Sequence, residues 1–256
     1  MGQVISIVSG KGGTGKTSFC AGVAVALCAL GEKVLVIDAD SGLRSLDIVL
    51  GMSDRLLFSY ADVIEGSCSL KEAAVKHPIV KNLRVLTAPA ALYEDYDGSW
   101  VTEEQISALL DRARVHFSYI LIDCPAGFGR EVMSFARPSD RAVVVSTPDH
   151  TSIRGAQRIG LLAAAGGQAD VRLVVNRVRA GMMEKGNAVN IDAAMDGAGL
   201  SLLGVVPEDK DVISCGNLGR VLVLFSHGYA RVAYANIARR LRGNRVRLLE
   251  GVKLRR

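Results

Sequence analysis

The stretch that decides the fold lies close to the start of the chain and reads Val4-Ile5-Ser6-Ile7-Val8-Ser9-Gly10-Lys11-Gly12-Gly13-Thr14-Gly15-Lys16-Thr17. Residues 4–8 are mostly β-branched and apolar, which predicts a buried strand. Residues 10–17 satisfy the pattern G-x-x-x-x-G-K-[ST], in which backbone N–H groups of a glycine-rich loop surround phosphate oxygens. Residues 18–30 are apolar at helical spacing, so the loop lies between a strand and a helix, as the pattern requires. A glycine-rich turn that only resembles the pattern is the alternative, and this context disfavours it.

The phosphate loop supplies most of the predicted binding residues. Lys16 is expected to reach the β- and γ-phosphates of a nucleoside triphosphate, and the Thr17 hydroxyl is expected to bind Mg²⁺. The positive end of the following helix attracts the same anion. The predicted nucleotide-binding residues of this loop are Gly10, Lys11, Gly12, Gly13, Thr14, Gly15, Lys16, Thr17 and Ser18.

Short apolar runs alternate with helical patterns along the chain, and the runs are continuous rather than alternating in polarity. The predicted strands are residues 4–8, 34–37, 83–86, 119–122, 142–146, 171–175 and 203–206, and the clearest helices are residues 18–30, 103–115 and 152–165. Continuous apolar runs are typical of strands that are buried on both faces. We therefore predict an α/β fold with a doubly wound, mostly parallel sheet and helices on both faces. Ligands of such sheets bind at the carboxyl ends of the strands.

The composition fits a cytosolic globular protein. Of the 256 residues, 49% are hydrophobic and 22% are charged, which suffices for one domain with a full core. The start lacks the basic segment and cleavage site of a signal peptide, and no apolar run is long enough to span a bilayer. The five cysteines have no C-x-x-C spacing, which favours reduced thiols over disulfides or an iron–sulfur cluster.

Positive charge is concentrated at the C-terminus. Residues 239–256 carry eight basic residues and one glutamate, a net charge of +7, whereas the formal charge of the whole chain is +5. We therefore divide the chain into a P-loop domain, residues 1–242, and a basic tail, residues 243–256. The tail predicts an anionic partner surface.

Lys11 is a second lysine directly after the first glycine of the loop, where it has no use in its own phosphate cradle. With its neighbours it resembles K-G-G-x-G-K-[ST], the deviant Walker A motif of the MinD/ParA family of P-loop ATPases. The resemblance implies that Lys11 reaches across a two-fold homodimer, in which ATP is sandwiched between the subunits, to the partner's nucleotide. Dimerisation would then depend on the γ-phosphate, because two facing triphosphates need cations from both sides. The alternative is a solvated loop lysine.

Two carboxylates follow the second predicted strand. The run Asp38-Ala39-Asp40-Ser41-Gly42-Leu43-Arg44-Ser45-Leu46-Asp47 resembles the switch I sequence of MinD-type members, D-x-D-x-G-L-R-x-L-D. We expect Asp40 to orient and help deprotonate the attacking water, and Asp38 to hold the Mg²⁺ shell. Lys11, Lys16 and Asp40 form the predicted catalytic set. Either acid could instead cap the next turn.

A third carboxylate closes the predicted strand at residues 119–122, which is the Walker B pattern. Asp123 is therefore expected to bind Mg²⁺ through water, and the predicted metal residues are Thr17, Asp38 and Asp123. Asp123 and the residues that follow it, Cys124-Pro125-Ala126-Gly127, resemble D-x-P-A-G, the switch II sequence of the same family. Gly127 would let the backbone approach the γ-phosphate and sense its loss.

Residues near the later strands resemble the family's base-binding positions. Asn176 follows the predicted strand at residues 171–175, and the resemblance implies that its amide pairs with the adenine edge. Pro207, Glu208 and Asp209 resemble the loop that flanks the base. No N-K-x-D guanine motif follows the late strands, so ATP is expected rather than GTP. The alternative for Asn176 is a turn residue after a strand.

Two segments depart from the family pattern. After Asp149, where the family tends to have acidic residues for its activator and inhibitor proteins, the chain reads Gly155-Ala156-Gln157-Arg158, which argues against binding those partners there. In the tail, Leu241, Leu248, Leu249 and Val252 can share one face at helical spacing, but no aromatic anchor is present, and Gly243 and Gly251 weaken a helix. A membrane-adsorbing segment and a solvated basic tail both stay open.

The hypothesis that joins these features is an ATP-dependent dimerisation switch, which hydrolyses ATP with Mg²⁺ and regulates cell division in space at the membrane. Dimerisation would double the tails and raise their avidity for an anionic surface. The expected location is the cytoplasm, with peripheral association with the inner face of the cell membrane, and regulatory protein partners are expected. The alternatives are a ParA-like partition ATPase that binds DNA, a flagellar or secretion-system positioning ATPase, and a metabolic P-loop kinase or ligase.

Overall fold

The computed structural model describes residues 1–89, 101–168 and 170–252. Its strands are β1 (Gln3–Ser9), β2 (Val34–Asp38), β3 (Val75–Lys76), β4 (Leu83–Leu86), β5 (Tyr119–Ala126), β6 (Arg141–Ser146), β7 (Val171–Val178) and β8 (Ser201–Pro207). Its helices are α1 (Lys16–Ala29), α2 (Leu46–Leu50), α3 (Tyr60–Glu65), α4 (Leu70–Ala73), α5 (Glu103–Arg114), α6 (Arg130–Ala136), α7 (His150–Ala165), α8 (Ala180–Glu184), α9 (Ile191–Ala198), α10 (Lys210–Asn217), α11 (Leu222–Phe225) and α12 (Tyr229–Leu241).

The strands of the described ranges form one sheet in the order β3-β4-β2-β5-β1-β6-β7-β8. All pair in parallel except β3, which lies antiparallel to β4 at one edge. β1 lies between β5 and β6, so the phosphate loop leaves the middle of the sheet at its carboxyl edge. This arrangement confirms the predicted doubly wound, mostly parallel α/β fold.

Helices cover both faces of the sheet, as the continuous apolar runs predicted. On β1, Ile5 and Ile7 pack into one core cluster with residues of α1 and α12. Val4 and Val8 point to the other face and pack with residues of α5, α6 and α7. All four side chains are fully buried, which is the burial expected of a central strand.

Two predicted strand ends are too early by three residues or more. β5 continues past Asp123 to Ala126, which pairs with Ser9 beyond an irregularity in β1, and β7 continues past Asn176 to Val178, which pairs with Pro207. Neighbouring backbones supply hydrogen bonds beyond the point where the apolar run stops, so polarity alone misses the true end. Asp123 and Asn176 therefore lie inside strands and not in the turns after them. β3 and the shortest helices were not predicted, because two to five residues carry no usable periodicity.

The described part of the tail does not continue α12 as a helix. Arg240 donates to the carbonyl of Val246 at 3.0 Å, and the Asn236 side chain donates to the carbonyl of Glu250 at 2.7 Å. The chain turns at Gly243 and Gly251, whose φ angles of 86° and 69° favour glycine. The tail is thus folded back against the helix that precedes it.

Leu241, Leu248, Leu249 and Val252 do not share one helical face, because the chain turns at the two glycines that were expected to weaken a helix. Leu241 and Val252 are buried in the core cluster under α1 and α12. Leu248 and Leu249 remain 41% and 39% exposed. Residues 253–256, which hold three of the predicted basic residues of the tail, lie outside the described residues.

Candidate nucleotide site

The phosphate loop leaves β1 at Ser9 and enters α1 at Lys16. Gly13 and Gly15 have φ angles of 77° and 87°, a region that other residues rarely adopt. A Cβ atom placed on Gly12 or Gly13 would meet no atom within 4 Å, so this part of the loop faces open space. With the N-terminus of α1 beside it, the loop has the shape and the polarity of a phosphate cradle.

A close backbone contact holds this loop against α7. A Cβ atom on Gly10 would lie 2.5 Å from the Cα of Gly155, and one on Gly155 would lie 3.1 Å from the Cα of Gly10. Gly155, noted in the sequence only as a departure from the family pattern, is therefore a packing residue of the site. No local sequence signal indicates this contact, because the two glycines belong to distant elements.

The Lys11 side chain is half exposed and pairs with the N-cap acid of α7. Its Nζ lies 3.6 Å from Oδ1 of Asp149, and the two side chains are 48% and 44% exposed. Asp149 caps α7 by accepting a hydrogen bond from the backbone of Ser152 at 3.0 Å. Burial raises the pKa of Asp149, but hydrogen bonds from Thr147 and Ser152 and the charge of Lys11 outweigh it and lower the pKa. Asp149 is a partner of Lys11 that the sequence did not reveal.

Two buried carboxylates lie side by side at the carboxyl edge, because Asp38 and Asp123 pair across β2 and β5. Each residue is 1% exposed. The Asp38 carboxylate accepts hydrogen bonds from the backbone N–H groups of Asp40 and Leu46, at 3.0 and 3.1 Å. Oδ1 of Asp123 is buried and has no hydrogen-bond partner within the described ranges. Asp38 thus anchors switch I through hydrogen bonds, whereas Asp123 has one carboxylate oxygen without a hydrogen-bond partner among the described residues.

Burial raises the pKa of both acids. Burial raises the pKa of Asp38 to about 6, against hydrogen bonds from Asp40 and Leu46 that lower it. Burial also raises the pKa of Asp123 to about 7, although the charge of Lys16 and a hydrogen bond from Thr17 oppose the rise. The pair is short of positive charge, which a bound cation would supply.

These donors fit Mg²⁺, which prefers oxygen ligands and is usually held by one or two protein groups plus water and phosphate. The unpartnered Oδ1 of Asp123 and the Thr17 hydroxyl, 3.3 Å from the Ser45 hydroxyl, are the oxygens that would hold it. No cluster of three or more metal-binding side chains occurs in the part of the chain that the structure describes. The roles of Thr17, Asp38 and Asp123 as metal residues stay predictions.

Asp40 and Gly127 follow β2 and β5 at the carboxyl edge of the sheet. Asp40 is only partly buried, and its Oδ1 accepts a hydrogen bond from the backbone of Leu43 at 3.1 Å. Gly127 has a φ of 106°, and its N–H donates to the carbonyl of Ser9 at 2.9 Å, so switch II is attached to the root of the phosphate loop. The predicted role of Asp40 in positioning water stays a prediction.

Asn176 contacts the phosphate loop through its side-chain amide. Its Nδ2 donates to the carbonyl of Thr14 at 2.8 Å, and a Cβ atom on Gly15 would lie 2.6 Å from the same nitrogen. The residue is buried, and one of its N–H groups is committed to the loop backbone. Its predicted contact with adenine therefore stays a prediction beside this observed structural contact.

Arg177 connects the predicted base-binding loop to the cradle. Arg177 donates to the carbonyl of Gly13 at 3.3 Å and pairs with Glu208 at 3.1 Å, and Arg179 also pairs with Glu208. Asp209 caps α10 by accepting from the backbone of Asp211 at 3.0 Å. The sequence did not predict the role of Arg177, because its partners lie on other elements.

Pro207 ends β8 and is buried, so the loop of Pro207, Glu208 and Asp209 starts at the same edge of the sheet as the cradle. The structure therefore brings the predicted nucleotide residues to one edge. None of the helices in the described ranges is both long and apolar enough to cross a bilayer.

Comparisons with known proteins point to the same chemistry. The family model of the CobQ/CobB/MinD/ParA nucleotide binding domain matches residues 5–222. The chain is 39% identical over 249 residues to the septum site-determining protein MinD of Bacillus subtilis, covering 97% of this chain and 92% of that protein. It is 38% identical over 250 residues to the MinD of Thermotoga maritima, covering 97% and 91%.

Solved structures agree with these matches. A chain of the MinC:MinD cell division protein complex of Aquifex aeolicus superimposes with a TM-score of 0.89 at 32% identity, covering 96% of this chain and 98% of that one. The MinD of Pyrococcus horikoshii complexed with Mg-ADP gives a TM-score of 0.83 at 27% identity, covering 94% and 96%. Because the family model spans most of the chain and the P-loop carries Lys11, the protein belongs to the MinD/ParA family of P-loop ATPases and is similar over nearly its full length to septum site-determining MinD proteins.

Proposed function

We propose that this chain hydrolyses ATP with Mg²⁺, that its ATP-bound form is a homodimer, and that the dimer acts at an anionic membrane surface in placing the division site. The similarity to septum site-determining proteins supports the cellular role. The observation that carries the switch is that Lys11 is half exposed and pairs with the surface acid Asp149. A lysine in that position can serve the nucleotide of a second copy.

The pairing of Lys11 with Asp149 does not prevent such a role. Exposed ion pairs contribute about 0–1 kcal/mol, so moving Lys11 from Asp149 to a partner's triphosphate costs little. The gain is larger, since contacts between a cation and phosphate in a closed site are charge-assisted and shielded from water. The ion pair therefore keeps Lys11 at the edge of the cradle in the monomer without fixing it there.

Each group of the site has its own role in the proposed reaction. Loop N–H groups and Lys16 bind the triphosphate, and Asp40 orients the attacking water and accepts its proton. Lys11 of the second subunit neutralises charge that develops on the γ-phosphate, as an arginine finger does in other P-loop enzymes. Mg²⁺, when bound, neutralises the β- and γ-phosphate oxygens. Loss of the γ-phosphate removes the anion that both subunits share, so the dimer separates.

Replacing Lys11 with Ala tests the switch. We expect ATP affinity to change little, because the binding groups of the cradle remain, whereas turnover falls roughly a thousandfold, as for loss of a finger residue. Dimers that form with Mg²⁺ and a non-hydrolysable ATP analogue should disappear in sedimentation velocity. Lys81→Ala is the control, since Lys81 is exposed and lies in the turn before β4, at the edge of the sheet opposite the phosphate loop. Normal dimers and turnover in Lys11→Ala would overturn the proposal.

The membrane part of the proposal rests on the tail. Arg245 and Arg247 are exposed beside the exposed Leu248 and Leu249, a combination that can adsorb to anionic lipid. Two tails in one dimer bind with higher avidity than one. A regulatory protein partner is also part of the proposal, since one similar solved structure is a complex of MinC with MinD.

A further inference from the structure

The edge of the sheet opposite the phosphate loop contains a cavity of about 630 Å³. Lys33, Leu83 and Phe117, at or just before the starts of β2, β4 and β5, line it. A strand of five residues spans roughly 15 Å, so this cavity is well separated from the nucleotide site. It is a distinct feature of the molecule and takes no part in the chemistry described above.

Five basic side chains line this cavity, and no carboxylate does so within the described ranges. They are Lys33, Lys71, Lys76, Lys81 and Arg84. None of the five forms an ion pair with a described residue. Like charges around one concave site repel each other and attract an anion.

The nearest carboxylates in the sequence are engaged elsewhere. Glu32, next to Lys33, pairs with Arg242 at 2.9 Å. Glu72, next to Lys71, accepts hydrogen bonds from the backbone and hydroxyl of Ser69, at 2.8 and 2.6 Å. Neither of these two acids forms an ion pair with a cation of the cavity.

Elsewhere along the same edge, three arginines have acidic partners. Arg114 pairs with Asp140 at 2.5 Å. Arg141 and Arg172 both pair with Asp170 at 2.6 Å. These three arginines of the same edge are neutralised by acids, whereas the five cations of the cavity have no ion-pair partner among the described residues.

The cavity is also lined by apolar residues, and an exposed apolar side chain lies next to it. Leu70, Val80, Leu83 and Phe117 lie among the lining residues. Ile79, in the turn between Val80 and the buried His77, is 64% exposed. A basic rim beside apolar surface matches an anionic amphiphile better than a small hydrophilic anion.

We propose that this cavity binds a phosphate-bearing anion, namely the headgroup of an anionic phospholipid, with the exposed Ile79 against the apolar region of the bilayer. The lipid assignment rests on the proposed association with an anionic membrane, whereas the affinity for phosphate rests on the cavity alone. The cavity supplies a contact with the membrane that is separate from the basic tail. A soluble phosphorylated molecule has the same headgroup chemistry, so the experiment includes it.

The test compares Lys33→Gln/Lys81→Gln with Lys185→Gln/Arg231→Gln, which removes the same charge from exposed positions outside the cavity. The probes are vesicles of phosphatidylglycerol with phosphatidylcholine, vesicles of phosphatidylcholine alone, and soluble glycerol phosphate. The full chain is used with Mg²⁺ and a non-hydrolysable ATP analogue. Each basic residue at an anionic surface contributes about 1 kcal/mol, so the cavity variant should bind phosphatidylglycerol vesicles about thirtyfold more weakly.

The control variant should bind these vesicles within about threefold of the unchanged chain, because its lost charges lie away from the proposed contact. Lys33→Arg/Lys81→Arg should restore binding, since the charge returns. Saturable binding of glycerol phosphate that only the cavity variant loses, with equal vesicle binding in all variants, would support a phosphate site and overturn the lipid source. Equal binding of every probe by both glutamine variants would overturn the proposal.

Dimerisation in solution is measured for the same variants without lipid. The cavity variant should form ATP-dependent dimers like the unchanged chain, because its substitutions lie at the opposite edge from the cradle. Loss of vesicle binding with intact dimers then reports on the cavity. Absence of dimers in the unchanged chain would count against the proposed switch and not against the cavity.

Discussion

Asp123 is a carboxylate that the fold buries within β5 and leaves with one unpartnered oxygen. Burial raises its pKa to about 7, from 3.8 for an exposed Asp. A raised pKa means that the folded chain holds the proton more tightly than the unfolded chain does. The stability from this group is therefore fully present below about pH 4 and is lost as the pH rises to about 7.

Replacing Asp123 with Asn should remove this loss of stability at higher pH. Without nucleotide and Mg²⁺, the variant should have a free energy of unfolding roughly 4 kcal/mol higher than the unchanged chain at pH 8, and a similar one at pH 4. Urea titrations at the two pH values measure this difference. Hydrolysis of ATP should nevertheless fall, because an amide is a poorer Mg²⁺ ligand than a carboxylate.

Asp196→Asn is the matched control, because Asp196 is an exposed acid on α9. It should leave both the pH dependence and the hydrolysis rate unchanged. Equal stability of Asp123→Asn and the unchanged chain at pH 8 would show that burial of this acid is already compensated in the nucleotide-free protein. The case for a cation at this position would then lose its electrostatic basis.

At the scale of elements, the contact between the phosphate loop and α7 shows how one helix shapes the site. The two backbones meet at Gly10 and Gly155, where any Cβ atom on Gly10 would collide with α7. The same helix carries Asp149, the partner of Lys11, at its N-cap. A small displacement of α7 would therefore move both the loop and the lysine.

Gly10→Ala and Gly12→Ala should separate packing from binding. Gly10→Ala forces the loop and α7 apart, so its free energy of unfolding should fall by roughly 1–3 kcal/mol, and its ATP affinity should fall as well. Gly12→Ala places its methyl group in open space and should change stability by less than about 0.5 kcal/mol. Its methyl group would still occupy part of the phosphate cradle, so its ATP affinity should fall.

Thermal or urea unfolding without nucleotide, followed by titration with ATP, distinguishes the two variants. An equal loss of stability in both would contradict the backbone contact between Gly10 and Gly155. Unchanged ATP affinity in Gly12→Ala would contradict the assignment of the open space to phosphate.

At the scale of the molecule, the two edges of the sheet have different electrostatic character. The carboxyl edge gathers Asp38, Asp40 and Asp123 around a cradle for a polyanion and a cation. The amino edge carries the basic cavity, and Arg242, where the tail begins, lies at that edge against Glu32 beside Lys33. Nucleotide binding and attachment to an anionic surface are therefore assigned to opposite edges, which lets one change without blocking the other.

Ending the chain at Arg242 should reduce both stability and membrane binding. Val252 is buried in the core, so its removal should lower the free energy of unfolding by about 2 kcal/mol. Arg245→Gln/Arg247→Gln is the better probe of lipid binding, because both residues are exposed and the core stays intact. Sedimentation with phosphatidylglycerol vesicles should be weaker for this variant, whereas unfolding should be unchanged.

A DNA shift assay with the same variants tests the alternative partition function. Binding to DNA that falls steeply with salt, without binding to vesicles, would favour that alternative. Vesicle binding that is independent of Arg245 and Arg247 would remove the tail from the proposed attachment.

Much of the site was predictable because its residues occur in contiguous runs. The P-loop, Asp38 and Asp123 each adjoin an apolar strand, and parallel strands bring their carboxyl ends to one edge. The true ends of β5 and β7 lie beyond Asp123 and Asn176 and were not predictable. Pairing of Ala126 with Ser9 and of Val178 with Pro207 extends these strands past the apolar residues. The two glycines that weaken a helix in the tail were visible in the sequence, but the contacts to α12 that turn the chain back were not.

The sequence by itself determined the fold class and the phosphate loop, because polarity period and an eight-residue pattern are local properties of the chain. Only the tertiary structure decided that Lys11 meets Asp149, that Gly10 rests on Gly155, and that the basic residues of the cavity share one concave surface. Each of these contacts joins elements that are distant in the chain. Their distances and charges therefore depend on how the strands and helices are ordered around the sheet, which no local pattern specifies.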